Sequence, residues 1–344
     1  MTEDQWKLLV KVVNGEIINP LPVGFIIDSP WLPKWAGITL LDYFSSDELW
    51  FNANRKAIET FPGCIFLPGF WSEFGMCTEP SAFGSLCRFP VNEFPHAFPC
   101  IQTVEAIDSM QKPNPKTDGL LPFVLNRLRI NRPSIEKMGH KIRFSVSRGP
   151  LNIAAHLMGT TEFLIAMMTD PTRIHSLLRL ITEFLIEWHD LQKKNIETID
   201  GILVLDDLIG FIGTEQFTVF GLPYLKEIYN RNVSVKFLHN DSQWESSIEF
   251  LPEIGINLFN MAFNTSLNEL KTLTKNRVAM LGNIPPRDVL ALGNVEEVKE
   301  AVTELIQSLT NRKNIILSCG GGMPPDVTTQ QIHAFLNGAS QPVS

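Results

Sequence analysis

Apolar residues along this 344-residue chain fall into two alternating patterns. Short runs rich in Val, Ile, Leu and Phe, bounded by Pro, Gly or polar residues, recur eight times. They are "PVGFII" from Pro22, "CIFLPGF" from Cys64, "IRFSVS" from Ile142, "ILVLDD" from Ile202, "VKFLHND" from Val235, "LFNM" from Leu258, "VAMLGN" from Val278 and "IILSC" from Ile315. Runs this short and continuous suit strands covered on both faces by helices. Between most of them, apolar residues return every three or four positions. In "TDPTRIHSLLRLITEFLIEWHDLQ", Asp170 caps a helix, Pro171 takes its first position, and Ile174, Leu177, Leu178, Ile181, Leu185 and Trp188 form the buried stripe. "NVEEVKEAVTELIQSL" repeats the scheme, with Asn294 as cap and Val298, Ala301, Val302, Leu305 and Leu309 as the stripe. Ahead of the first strand, Thr2 as cap and Trp6, Leu9, Val10 and Val13 at helical spacing predict an N-terminal helical extension.

Eight strands alternating with helices, without a glycine-rich dinucleotide fingerprint, predict an α/β chain folded as a (β/α)8 TIM barrel, one domain over residues 1–344. The irregular stretch of about residues 71–132 reads as an insertion after the second strand, near the barrel mouth. With 44% hydrophobic and 19% charged residues, the chain can bury a core of that size. A formal charge of -8 argues against nucleic-acid or anionic-membrane partners. No apolar stretch is long enough to span a membrane, and no basic start precedes an apolar leader, so a cytoplasmic, soluble protein is expected. The five cysteines are then reduced thiols; Cys64, Cys77, Cys87 and Cys100 fit no compact zinc knuckle and read as packing residues.

Many of the eight runs end on polar side chains: Asp28, Ser147 and Arg148, Asp206 and Asp207, His239 and Asp241, Asn260, Asn283, and Cys319. On a barrel these gather at the C-terminal rim, where barrel enzymes place their chemistry. Any one of them can be polar simply because a loop begins there; the set favours a site. His239 and Asp241, two apart on a strand, project to one face. Cys319 precedes "GGGMPPD", whose glycines let a loop approach a ligand closely. An imidazole, a carboxylate and a thiolate converging on a shared mouth, with a fourth position open, would make a catalytic zinc site. By spacing alone, His-x-Asp is more commonly a hydrogen-bonded pair, and a lone Cys after "IILS" a small core residue.

The stretches "FGLPYLKEI", "FLHNDSQWESSIEFLPEIGINLFNM", "VAMLGNIPPRDVL" and "ILSCGGGMPPDVTTQQIHAFL", in this order, resemble the uroporphyrinogen decarboxylase superfamily, which also holds cobalamin-dependent methyltransferases. The family fold is the barrel already read from the strands. The decarboxylase branch fits poorly. Its arginine-bearing Arg-Gln-Ala-Gly-Arg-Tyr stretch is replaced by "DSPWLPKWAG", its essential aspartate falls on Gly69, its tyrosine on His156, and the histidine of its closing Gly-His-Gly on Gly321. A polyanionic substrate without its cationic clamp would bind badly. The methyltransferase branch is similar where it matters: its zinc is held by His-x-Cys at the fifth strand and Cys at the eighth, matching His239 and Cys319, with Asp241 where the first Cys belongs.

That resemblance implies one Zn2+ per chain on His239, Asp241 and Cys319, with cobalamin carried by a partner corrinoid protein; a homodimer is the assembly it leads one to expect. Replacing a thiolate by a carboxylate leaves the metal a stronger Lewis acid toward oxygen, which favours an ether over a thiol substrate. The expected reaction is O-demethylation: methyl transfer from a small methoxylated, aromatic compound to cob(I)alamin. Phe70, Trp71, Met76 and the neighbouring Phe74 and Phe83 offer an apolar wall for the ring, with Glu73 and Glu79 as polar contacts, unless the segment only packs on the barrel. Arg148, Asp206, Asp207, Asn260 and Asn283 are further substrate-binding candidates. Either Asp206 or Asp207 faces inward, to bind substrate, order His239 or cap a helix. The competing readings are transfer from methylcorrinoid to a coenzyme M-like thiol or tetrahydrofolate, and a non-catalytic barrel that binds a corrinoid or tetrapyrrole.

Overall fold

The computed structural model describes residues 1–27 and 30–340. All eight predicted runs are strands: β1 Val23–Ile26, β2 Cys64–Leu67, β3 Phe144–Arg148, β4 Gly201–Leu205, β5 Val235–Asn240, β6 Leu258–Met261, β7 Ala279–Ile284 and β8 Ile315–Cys319. They pair in parallel in the order β2-β1-β8-β7-β6-β5-β4-β3, a curled sheet with helices around it, as expected of a (β/α)8 barrel. The hydrogen-bonded sheet has its two edges at β2 and β3, so the barrel's seam lies between them.

Alternation along the strands sorts the core into two layers. Phe144, Leu203, Val235, Phe237, Leu258, Ala279, Leu281 and Ile316 fill the barrel interior. Ile202, Val204, Leu238, Phe259, Met280, Ile315 and Leu317 face the surrounding helices. The N-terminal helix, Glu3–Val13, starts on a capping box between Thr2 and Gln5 and joins the inner layer through Trp6, Leu9, Val12 and Val13. Trp6 meets Phe144 edge-on at 5.5 Å, and Gln5 donates to the Cys64 carbonyl, so this helix closes the N-terminal end of the barrel. Burying a side chain such as Leu9 there contributes about 1.5–3 kcal/mol.

The helix Pro171–Asn195 buries the whole expected stripe, and Asp170 caps it by accepting from the Arg173 amide. Asn294 caps Val295–Ser308, in which Val298, Val302 and Ile306 are the fully buried positions while Ala301, Leu305 and Leu309 lie half-buried at its margin. The irregular stretch ends earlier than expected: Leu121–Lys137 is a helix. Its buried face, Leu121, Val124, Arg127, Leu128, Asn131 and Ile135, contains two polar residues, which is why the apolar pattern alone hid it. The residues between β2 and this helix carry a short hairpin, Cys87–Arg88 with His96–Ala97. Among the described residues no single helix is long and apolar enough to cross a membrane.

Candidate active site

β5 alternates Val235, Phe237 and His239 toward the barrel interior, which places His239 at the top of the inner layer. Register carries the same inward row across the sheet: Arg148 pairs with Leu205, Leu205 with His239, and His239 with Asn260. Asn260 is fully buried and its amide donates to the Leu281 carbonyl at 2.7 Å, which leaves its Oδ1 for His239 Nδ1 at 2.8 Å. The geometry therefore puts one imidazole proton on Nδ1 and turns Nε2 toward the mouth. Nε2 lies 3.4 Å from Asp241 Oδ1 and 4.0 Å from Asp207 Oδ1.

The chain leaves β5 in a turn built by Asn240, whose Oδ1 accepts from the Ser242 amide and hydroxyl. This turn sets Asp241 on the lip, its backbone N–H donating to Asp207 Oδ1 at 2.8 Å. The Asp241 carboxylate also lies against Gly321, where a Cβ would fall 2.1 Å from Oδ1 and where φ is +68°. No side chain fits at position 321 while Asp241 holds this place. Burial alone would lower the basicity of His239; the Asp241 and Asp207 carboxylates and the Asn260 hydrogen bond outweigh it and raise the pKa to about 10. Burial likewise raises the Asp241 carboxyl, but the neighbouring imidazole and the Gly322 amide bring it below its ordinary value.

The two adjacent aspartates divide as alternation requires. Asp206 is fully buried and accepts from the Leu151 and Asn152 amides, at 3.1 and 3.0 Å, at the start of the helix Pro150–Met158. It is packed so closely that a Cβ on Gly149 would fall 2.1 Å from its Oδ2. Burial, with the charge of Asp207 beside it, holds its carboxyl well above the usual range. Asp206 is thus a helix cap, and Asp207 is the one that faces His239.

Cys319 closes β8 in the row that faces outward with Leu317, while Ile316 belongs to the inner layer. Its thiol is buried, donates to the Gly321 carbonyl at 3.7 Å, and its own carbonyl accepts from Asn260 at 3.5 Å. Among the described residues, no three His, Cys, Asp or Glu side chains come together as a ligand set. His239 Nε2 faces Asp241 and, farther off, Asp207, while Cys319 belongs to the outward-facing row of β8. Asn283 is buried and donates to the Thr265 carbonyl, a loop-holding role apart from His239. Asp28 lies outside the described residues.

The residues expected to form a substrate wall after β2 are packed within the fold. Phe70 stacks on Phe51 at 5.7 Å, and Trp71 packs with the inner layer while its carbonyl accepts from Trp50. Both are core residues. Glu73, Met76 and Glu79 turn to β3: Arg148 Nη2 is 3.0 Å from Glu73, Nη1 is 3.4 Å from Glu79, and Nε is 3.3 Å from Met76 Sδ. All three charged groups are buried, and they bridge the seam between β2 and β3. Burial raises the Glu79 carboxyl in spite of Arg148. His156 beside them is lowered to about 4 by burial and by the Arg148 charge.

The aromatic rings that do flank the site are Phe211 and Phe263, 64% and 45% exposed. With Gly210, Asp241 and Ala262 they line a cavity of about 540 Å³. They stand in the loops after β4 and β6, in "DDLIGF" and "NMAF"; their place just past two polar strand ends was the signal that would have singled them out.

Residues 5–341 match the family model of uroporphyrinogen decarboxylase (URO-D), and the chain belongs to that family. Among curated relatives, the uroporphyrinogen decarboxylase of Thioalkalivibrio sulfidiphilus is 22% identical over 96% of this chain and 95% of its own, and that of Idiomarina loihiensis is 23% identical over 75% and 74%. Among solved structures, a methyltransferase from Methanosarcina mazei superposes with a TM-score of 0.80 at 18% identity, covering 96% of both chains. A B12-independent methionine synthase from Shewanella follows with a TM-score of 0.59 at 13% identity over 93% of this chain and 96% of that one. At these identities the two structures speak for the fold.

Proposed function

We propose that the chain is a methyltransferase that takes the methyl group of a small methoxylated aromatic compound and passes it to the cob(I)alamin of a partner corrinoid protein, at the rim around His239 and Asp241. The observation that carries this reading is the mutual fit of Asp241 and Gly321. The decarboxylase pattern puts a histidine where Gly321 stands, and here the space any Cβ would need is filled by the Asp241 carboxylate. Gly321 departs from the decarboxylase pattern and Asp241 from the methyltransferase one; the two positions fit one another, and the carboxylate faces His239.

Zinc is part of the proposal. His239 Nε2, with its tautomer fixed by Asn260, and Asp241 Oδ1 fit two positions of such an ion. Cys319, the third ligand the resemblance implies, is not collected with them. When bound, zinc would act as a Lewis acid toward the ether oxygen. The chain's own part is to orient His239 through Asn260, to fix Asp241 through Asp207 and Gly321, and to offer Phe211 and Phe263 as faces for an aromatic ring. The cavity of about 540 Å³ falls within the ordinary size of a small-molecule site.

Metal analysis of the purified chain, joined to a screen of methyl donors against reduced corrinoid, tests this reading. Methylcobalamin should form with a methoxylated aromatic donor. Formation of coproporphyrinogen from uroporphyrinogen, without methyl transfer from any donor, would sink it, and consumption of methylcobalamin with a thiol or tetrahydrofolate would reverse its direction.

A further inference from the structure

Two of the cysteines read as packing residues touch one another. Cys77 is fully buried and Cys87, on the hairpin, is half-buried; their thiols are hydrogen-bonded, and the Arg88 amide donates to Cys77 sulfur. Cys87 Sγ also lies 3.6 Å from the Ser85 carbonyl and 4.0 Å from that of Cys77 itself. We infer that Cys77 and Cys87 form a redox-active pair that closes to a disulfide on reaction with a hydroperoxide, with Cys87 as the sulfur oxidised first and Cys77 as the resolving one.

The asymmetry of the pair assigns the roles. Cys87 is the one solvent reaches, and the hydrogen bond it accepts from Cys77 lowers its thiol pKa while raising that of its partner. The thiolate is the nucleophile, so reaction begins at Cys87. Its sulfur attacks the peroxide, the O–O bond breaks, and a sulfenic acid forms as hydroxide leaves and is protonated to water. Cys77 then loses its proton and attacks that sulfur; the S–O bond breaks, and the departing hydroxide takes up the proton as a second water. Two thiols are oxidised and one peroxide is reduced. The new bond would tie the hairpin to the segment that carries Glu73, Met76 and Glu79 against Arg148. Cys100 is the competing partner, since its sulfur accepts from the Ser85 hydroxyl at 3.6 Å.

The test is to treat the reduced full-length chain with one equivalent of hydrogen peroxide, block remaining thiols with an alkylating agent, and map the peptides by mass spectrometry. The expected result is loss of two of the five thiols, a linked Cys77–Cys87 peptide, and full recovery with dithiothreitol. Cys77→Ser should stop at a sulfenic acid on Cys87, trapped by dimedone, and Cys100→Ser should change nothing. A Cys87–Cys100 link, a link between chains, or oxidation of Cys87 no faster than in the urea-unfolded chain would overturn the inference.

Discussion

The mouth of this barrel has two walls made of the same kinds of residues, and they are finished in opposite ways. Along the seam, Arg148 at the end of β3 is enclosed by Glu73, Met76 and Glu79, and all its charged partners are buried. Along β4 to β6, His239 has one nitrogen bound to Asn260 and the other facing two carboxylates on a half-open lip. The first wall satisfies itself and stitches a gap where two strands do not pair. The second turns an imidazole edge and a carboxylate toward an open lip, where something that is not protein can reach them. Charged residues at strand ends are therefore not equivalent evidence for a site; what separates them is whether the cluster is enclosed or reaches an open lip.

The sharpest way to break this comparison is to remove Arg148. Arg148→Ala would leave two carboxylates buried without their cation, and a loss of about 3–5 kcal/mol in urea unfolding is expected. Glu79→Gln should be far milder, because burial already pushes that carboxyl toward its neutral form. Equal costs for the two substitutions would show that the seam cluster does not work as described.

On the open wall the effects should fall on activity instead of stability. Asn260→Ala removes the group that fixes the His239 tautomer, and a drop of about 10–100-fold in methyl transfer or metal affinity is expected. Phe211→Ala and Phe263→Ala should raise KM for an aromatic donor several-fold and leave metal content untouched. An unchanged KM for both would remove the aromatic lips from the account.

The smallest effect concerns pH. His156 and His140 are each lowered to about 4, by burial first and then by the positive charges of Arg148 and of the chain's amino terminus. Both rings are neutral in the fold, while in the unfolded chain they titrate near 6.5. The unfolded state therefore binds more protons between those values, and stability should decline as pH falls from about 6.5 toward about 4. His156→Gln should flatten part of that decline in a series of urea midpoints.

The sequence made the barrel legible because strands covered on both faces must be apolar throughout, and all eight runs declared themselves that way. The helix Leu121–Lys137 stayed hidden because Arg127 and Asn131 occupy its buried face: Arg127 is held by Asp47 and the Phe44 carbonyl, and no spacing rule anticipates that. His239 and Asp241 were legible from a period of two. Following a strand does not say which way a ring turns, and Phe70 and Trp71 both turn into the core. Choosing Asp207 over Asp206 needed the helix that Asp206 caps, whose residues lie more than fifty positions earlier. The association of Cys319 with His239 came from resemblance; the alternation of β8 by itself sends that side chain to the outer layer.

The central claim is that the open wall is the reaction centre, and one measurement meets it head on. Wild type and His239→Ala are compared for formation of methylcob(III)alamin from cob(I)alamin and a methoxylated aromatic donor, read by the change in corrinoid absorbance. The account predicts transfer by the wild type and a loss of about a hundredfold or more in the variant at unchanged fold, the scale of losing a group that acts at the reacting atoms. Transfer that proceeds equally well without the His239 imidazole would contradict it.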